Sequence, residues 1–203
     1  YYLHMLTAGQ LARVLFPIGD ALKDEVRAEA RARDLPGAEK GESQELCFVP
    51  DGDYAGFVAE RADGRVRPGP ILDSGGAVLA QHDGIHRFTH GQRRGLGVAT
   101  GKPVFVTDIR PDGAVVVGDA RAASCRGARL SSGDWASDVT FPLTAELKVR
   151  SHDRGTLATL QAADDGIEVT FAQPVRGVAP GQLAVAYDGD RVLGGATIVR
   201  GTP

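Results

Sequence analysis

The chain has 203 residues, 42% of them hydrophobic and 24% charged, a balance that suits an ordinary globular protein and excludes a low-complexity or disordered one. Its net charge of −3 is no global signature of a nucleic-acid binder, so any polyanion site must be a local patch on a mildly repulsive whole. The two cysteines cannot form a disulfide framework or a zinc site by themselves, and no apolar run approaches the roughly 20 residues that span a bilayer; with no signal peptide, a reducing cytoplasm is the default.

The chain opens on "YYLHMLTAGQ" without an initiator Met and without a polar lead, which reads as a cut edge of a longer protein. Thr7 and Gln10 match a Thr-x-x-Gln capping box, followed by Leu11, Val14 and Leu15 on one helical face, with Pro17 and Gly19 as the stop. A second helix is predicted over Leu22 to Arg33. Asp24 and Glu25 lie in its first turn, Arg31 and Arg33 in its last, and Pro36-Gly37 beyond it.

From residue 46 the texture changes. "LCFV" reads as a strand entered from the polar loop Glu42 to Glu45, and "DGDYAGFVAERA" as a short helix after an Asp/Gly turn. A thiol at that junction, Cys47, is reachable in a way that a cysteine inside an apolar run is not. "GPILD", "AVLAQ", "KPVFVTDI" and "AVVVG" follow as short β-runs separated by turn signals, with "DSGGAV" (residues 73–78) read as a hairpin turn. After about residue 120 only strands are predicted: "LTAELKVR", "TLATLQAA", "IEVTFA", "QLAVAYDG" and "RVLGGATIV", spaced as in a small barrel or sandwich. The expected fold is therefore α+β followed by all-β: two N-terminal helices, a small mixed central domain and a C-terminal β-barrel.

"HRFTHGQRRGLG", residues 86–97, packs His86, Arg87, His90, Arg93 and Arg94 around three glycines. Glycines admit close approach of backbone amides to a phosphate, and guanidinium forks match its oxygens, so the cluster suggests an RNA or nucleotide contact. A glycine-rich turn carrying solvated arginines is the other reading, and both stay open on pattern alone. His82, His86 and His90 recur every four residues, but Gly84 and Gly91 break any helix and no carboxylate or thiol cluster completes a shell, so no metal is expected. Arg121, Arg126 and Arg129 flank Cys125 and would favour its thiolate, yet it reads as an incidental surface or strand cysteine. Farther on, Arg150, His152 and Arg154 form a basic edge, and Gln182 follows a Pro-Gly turn; loop-borne Arg and Gln on a barrel suit contact with looped RNA.

Taken in order, "LFPIG", "SQELCFVPDGDY", "GPILD…G…HDGIHRFTHGQRRGLG", "PGQ" and the late "LGGATI" resemble the tRNA-specific 2-thiouridylases, which replace the C2 oxygen of the anticodon wobble uridine with sulfur. The resemblance covers essentially the whole chain, most specifically at the Cys47 and "HGQRRGLG" segments. It implies that Cys47 carries the sulfur as a persulfide, that ATP adenylates the uridine, and that a second cysteine in an N-terminal domain resolves the persulfide as a disulfide. It also implies tRNA, a sulfur-relay donor protein and that N-terminal domain as partners, with no membrane. The tRNA contacts it implies are Arg150, Ser151 and Gln182, with Arg93 and Arg94 added from their charge. Where the family reads Arg-Tyr this chain has Arg150-Ser151, and a serine cannot stack on a base. The family's SGG-x-DS loop for ATP does not occur in these residues. The domains implied are 1–38, the helical tail of the N-terminal domain; 39–119, a central domain with the cysteine loop; and 120–203, the β-barrel. The alternative is a non-catalytic RNA-binding β-barrel with an inert cysteine; a stand-alone thiol enzyme finds no His or Asn/Asp partner at a recognisable spacing.

Overall fold

A computed structural model describes residues 1–39, 48–49 and 52–203. They gather into two compact units, one formed by Ala8–Arg61 and the other by Tyr1–Thr7 with Ala62–Pro203.

The Ala8–Arg61 unit is helical. Helix α1 spans only Ala8–Leu11, one turn rather than a helix running on through Leu15. Past Leu11 the backbone closes into tighter turns (Arg13 N to Gln10 O, 2.9 Å; Val14 N to Leu11 O, 3.2 Å), and Pro17 biases the preceding residue away from helical angles. Leu15 is left 86% exposed. Helix α2, Lys23–Ala32, matches the expected span. Glu25 Oε2 accepts the Leu22 amide at 2.8 Å and acids occupy the first turn, both favourable at the positive end of the helix dipole. Helix α3, Tyr54–Arg61, is the short helix expected after the Asp/Gly turn. Its cap is Asp53, whose Oδ1 accepts the Gly56 amide at 2.9 Å. The strand expected at 46–49 is not found in its described part, where Phe48 and Val49 form a turn and a bend. Phe48 instead packs its ring 5.6 Å from that of Phe57 on α3. Cys47 lies outside the described residues.

The other unit holds two sheets. The smaller contains β1 (Gly69–Leu72), β2 (Val78–His82), β3 (Phe105–Ile109) and β4 (Val115–Gly118), in the order β2-β1-β4-β3. Strands β1 and β4 are parallel and the other pairs antiparallel. Ile71, Phe88, Leu96, Val106, Val115 and Val117 form its core.

The larger sheet contains β5 (Ser124–Leu130), β6 (Asp134–Trp135), β7 (Leu143–Lys148), β8 (Thr156–Ala163), β9 (Gly166–Arg176), β10 (Leu183–Asp188) and β11 (Arg191–Thr202). Its order is β10-β7-β8-β9-β5-β11-β6, and β10 also pairs with β11, which closes six strands into a barrel and leaves β6 as an outer addition. Closure removes the exposed edges that an open sheet of this length would carry. Buried and exposed residues alternate along β7 and β8, and Leu130, Leu147, Leu160, Val169, Phe171 and Ile198 point inward as one core. Among the described residues no helix is long and apolar enough to cross a membrane.

Candidate nucleic-acid interface

A cleft of about 750 Å³ opens in the barrel-containing unit, lined by residues from four places in the chain. Thr89, His90, Gly91 and Gln92 come from the loop before β3, Arg150 to Asp153 from the β7–β8 connection, and Gln182 and Leu183 from the start of β10. Tyr1 and Tyr2 complete the wall.

The 89–92 loop is fixed from both sides. The Gly91 amide donates to Val106 O at 2.8 Å and the Val106 amide to Gln92 O at 2.9 Å, which lays the loop against β3. Gln92 also clamps its own turn, accepting from the Thr89 amide through Oε1 (2.9 Å) and donating through Nε2 to Arg94 O (3.0 Å). One acceptor site and one donor of the Gln92 amide are therefore used within its own loop, a structural task.

Arg150 crosses between the barrel and that loop. Its Nη2 donates to His90 O at 3.0 Å, and its guanidinium lies against two glycines. A Cβ on Gly177 would stand 2.6 Å from Arg150 Cζ, and one on Gly91 would stand 3.3 Å from Nη2 and 3.0 Å from Gly177 Cα. Both glycines adopt positive φ, +73° and +78°, so backbone conformation and space exclude a side chain at each. With this slot holding the guanidinium, Arg150 Nε is buried without a hydrogen-bond partner.

Gln182 lines the same cleft. The Ile198 amide donates to its carbonyl at 2.7 Å and its own amide to Ala179 O at 3.2 Å, so the backbone is anchored while the side-chain Oε1 is buried and unpartnered. One donor and one acceptor are thus left unsatisfied in the same cleft. A buried polar atom without a partner costs about 1–3 kcal/mol, a cost that an incoming ligand can remove. The pair suits a ligand that accepts at one point and donates at another, as a phosphodiester and a base N–H do.

Tyr1 anchors its wall by donating its phenol O–H to Leu183 O at 2.7 Å. Burial, with smaller contributions from the Tyr2 and Tyr187 phenols and the Asp153 carboxylate opposed by Arg150, pushes its pKa up to about 12. Tyr2 packs edge-on against Tyr1 at 5.4 Å and keeps 69% of its surface exposed. His4 is buried, with Nδ1 at 2.8 Å from Tyr1 O, and it lies so close to Gly195 on β11 that a Cβ there would stand 2.9 Å from its Nε2. None of these three was singled out in the sequence; the aromatic pair one residue short of a histidine was the available signal.

The expected contact residues are thus partly brought together. Arg150, Ser151 and Gln182 share the cleft. Arg93 and Arg94 are exposed, and Arg93 lines a separate groove with residues 95–104. Of the histidines, His82 is buried with Nε2 at 2.9 Å from Gly113 O and its ring 5.0 Å from that of Phe88. His86 falls in a short 3-10 helix and His90 in the cleft wall. Among the described residues no group of three or more His, Cys, Asp or Glu could hold a metal. Cys125 is a strand cysteine on β5, packed against the barrel core. Burial pushes its thiol pKa up, which corrects the expectation that neighbouring arginines favour its thiolate. Residues 73–78 are the expected hairpin turn, joining β1 to β2. Asp73 Oδ1 accepts the Gly75 and Ala77 amides, each at 2.8 Å, so the turn is closed on its own carboxylate and does not fit a nucleotide phosphate.

Three family profiles match consecutive stretches of the chain: a tRNA methyl transferase HUP domain over residues 1–51, a tRNA methyl transferase PRC-barrel domain over 56–119, and an aminomethyltransferase beta-barrel domain over 126–198. The chain is 53% identical to the tRNA-specific 2-thiouridylase MnmA of Sorangium cellulosum, over 98% of this chain and 53% of that protein. It is 45% identical to the protein of that name from Streptomyces avermitilis and 43% identical to the one from Chlorobaculum tepidum, over 100% of this chain and 55% and 57% of theirs. The chain spans about half the length of these curated relatives. It belongs to the tRNA-specific 2-thiouridylase family.

Proposed function

We propose that these residues supply the tRNA-holding surface and the sulfur-carrying cysteine of a tRNA-uridine 2-sulfurtransferase, acting on the anticodon wobble position. The observation that carries the reading is the pair of buried, unpartnered polar atoms, Arg150 Nε and Gln182 Oε1, on two residues that line one cleft. Arg150 takes a phosphate oxygen, Gln182 accepts from a base or ribose donor, and Ser151 lines the same cleft. Arg93 and Arg94 add charge outside the cleft. Single-stranded RNA loops are recognised in this way, through splayed bases and backbone contacts rather than groove reading.

Cys47 is the proposed sulfur carrier, on the strength of its segment's resemblance to the family. Loaded by a relay donor, its persulfide bonds through the terminal sulfur to C2 of the uridine and displaces the oxygen. A second thiolate then attacks Cys47 Sγ. The S–S bond breaks, its electron pair stays with the sulfur on C2, and a disulfide joins the two cysteines. Cys125 does not suit the second role, since it is half-buried on β5 with its thiol pKa raised. Activation of the oxygen by ATP, which the resemblance implies, is assigned to none of the described residues, because the turn at 73–78 does not fit a nucleotide.

The test is fluorescence anisotropy with a labelled anticodon stem–loop. Hydrogen bonds to a charged group contribute about 1.5–3 kcal/mol, so Arg150→Ala is expected to weaken binding about tenfold or more. Gln182→Ala is expected to weaken it less, and Cys47→Ser to leave it unchanged while abolishing thiolation by the whole protein. Wild-type affinity in both Arg150→Ala and Gln182→Ala would overturn the assignment of the cleft. Thiolation that survives Cys47→Ser would favour the alternative, an RNA-binding barrel with an inert cysteine.

A further inference from the structure

Two more concavities lie beside the cleft, and each shares a wall with its neighbour. The first, of about 260 Å³, contains Asp153, which also lines the cleft, together with Arg154 and Arg176. The second, of about 560 Å³, shares Pro174 and Arg176 with the first and adds Arg121 and Arg126. The strand register explains the convergence. Ser124 at the start of β5 pairs with Arg176 at the end of β9, and the ladder slips between Cys125 and Gly127, where Arg126 stands. Arg121 belongs to the turn that feeds β5.

All four arginines are exposed, and among the described residues none of them pairs with a carboxylate. Two other arginines of the barrel do find acids: Arg129 pairs with Asp165 and Glu168, and Arg191 with Asp138. Asp119, the acid nearest in sequence to Arg121, spends Oδ1 on the Ala122 amide at 2.8 Å. Arg176 is also braced, its guanidinium lying 5.3 Å from the ring centre of Phe105. On a chain of net charge −3, a row of acid-free guanidiniums along connected grooves is a local polyanion site.

We propose that Arg154, Arg176, Arg121 and Arg126 form a track for an RNA sugar–phosphate backbone, continuing outward from the Arg150–Gln182 cleft. Asp153 marks the boundary, disfavouring phosphate between the cleft and the track. The protein thereby grips a loop together with the helix that carries it, and the helix is held by charge without reading its sequence. This rests on the cleft reading above.

The experiment compares two RNAs on the 203-residue chain, an anticodon loop closed by a minimal stem and the same loop on a stem longer by about one helical turn. Each phosphate neutralised contributes about 0.7–0.9 to the slope of log affinity against log salt. The wild-type chain is expected to bind the longer RNA more tightly and with the steeper slope. The triple variant Arg121→Gln/Arg126→Gln/Arg176→Gln is expected to lose about 2 from that slope and about tenfold or more in affinity at low salt, while binding the minimal loop as wild type. The corresponding triple lysine variant keeps the charge and is expected to restore the slope. If the glutamine variant binds both RNAs like wild type, the track is refuted and the cleft stands. If Arg150→Ala leaves the minimal loop's binding unchanged, or the wild type binds neither RNA, the cleft reading fails and takes the track with it.

Discussion

Gly177→Ala is the sharpest structural perturbation available, because it sets a methyl group where the Arg150 guanidinium now lies. A Cβ at that position stands 2.6 Å from Cζ and 3.0 Å from Nε, well inside van der Waals contact, so the side chain must leave its slot. Two costs follow. Holding alanine at a φ of +73° costs about 1–2 kcal/mol relative to glycine. Losing the Arg150 Nη2 bond to His90 O (3.0 Å) removes a charged hydrogen bond contributing about 1.5–3 kcal/mol. The substitution is therefore expected to destabilise the barrel-containing unit by about 3 kcal/mol. In an Arg150→Ala background the second cost is already spent, and the same change should cost only about 1 kcal/mol. Urea denaturation followed through Trp135, the single tryptophan, which packs against Phe141 at 5.2 Å beside the barrel core, measures the cycle. A coupling of about 2 kcal/mol between the two sites is expected. Strictly additive effects would show that Gly177 does not position Arg150, and the slot as described would be wrong.

The remaining expectations are as follows. The Tyr1 phenol is neutral when folded and its pKa rises from 10.0 to about 12. Its stabilising effect is therefore complete below pH 10 and lost as pH rises towards 12. Wild type should lose stability in that window relative to Tyr1→Phe, and tyrosinate absorbance should show Tyr1 and Tyr187 ionising late, Tyr187 alone in Tyr1→Phe; parallel pH profiles for the two proteins would refute the burial of the Tyr1 phenol. Gly195→Ala places a methyl within 2.9 Å of His4 Nε2 and 2.8 Å of Ala184 O, so it should release the opening residues from the barrel. Hydrogen exchange over Tyr2–Thr7 should accelerate, and unchanged protection would contradict the docking. Iodoacetamide should label Cys47 before Cys125, whose buried thiol has a raised pKa; Cys125 reacting first in the native protein would contradict its placement on β5.

Strands β7 to β11 were legible as β-rich apolar runs between turn signals, with the alternation of buried and exposed residues clearest in β7 and β8. Strand β5 was not, although it joins β9 to β11 in the barrel. Its run "SCRGARL" carries two arginines and a glycine that break the alternation. Gly127 is there because β9 comes too close for a side chain: a Cβ would meet Val169 O and stand 2.6 Å from Thr202 Oγ1. The reading of "LCFV" as a strand relied on composition, and the described Phe48 and Val49 turn instead to pack near α3. For the cleft, "KVRSHDRG" and "PGQ" announced Arg150, Ser151 and Gln182 as basic or turn residues, but not that they line one cleft. That depends on the pairing of β10 with β7, which places the β7–β8 connection beside β10. Gln92 illustrates the reverse case, a polar residue inside the most distinctive motif that is consumed by its own loop. Tyr1 and Tyr2 were hidden because an apolar opening reads as an edge, whereas their place on the cleft wall arises from a long-range bond to Leu183.

The decisive measurement is the 2-thiouridine content of tRNA, by nucleoside mass spectrometry, in cells whose only copy of the whole protein carries Cys47→Ser, with Cys125→Ser beside it. A sulfur carrier at Cys47 requires that the first abolish the modified nucleoside and that the second leave it in place. Undiminished 2-thiouridine with Cys47→Ser would contradict the sulfur-transfer role outright.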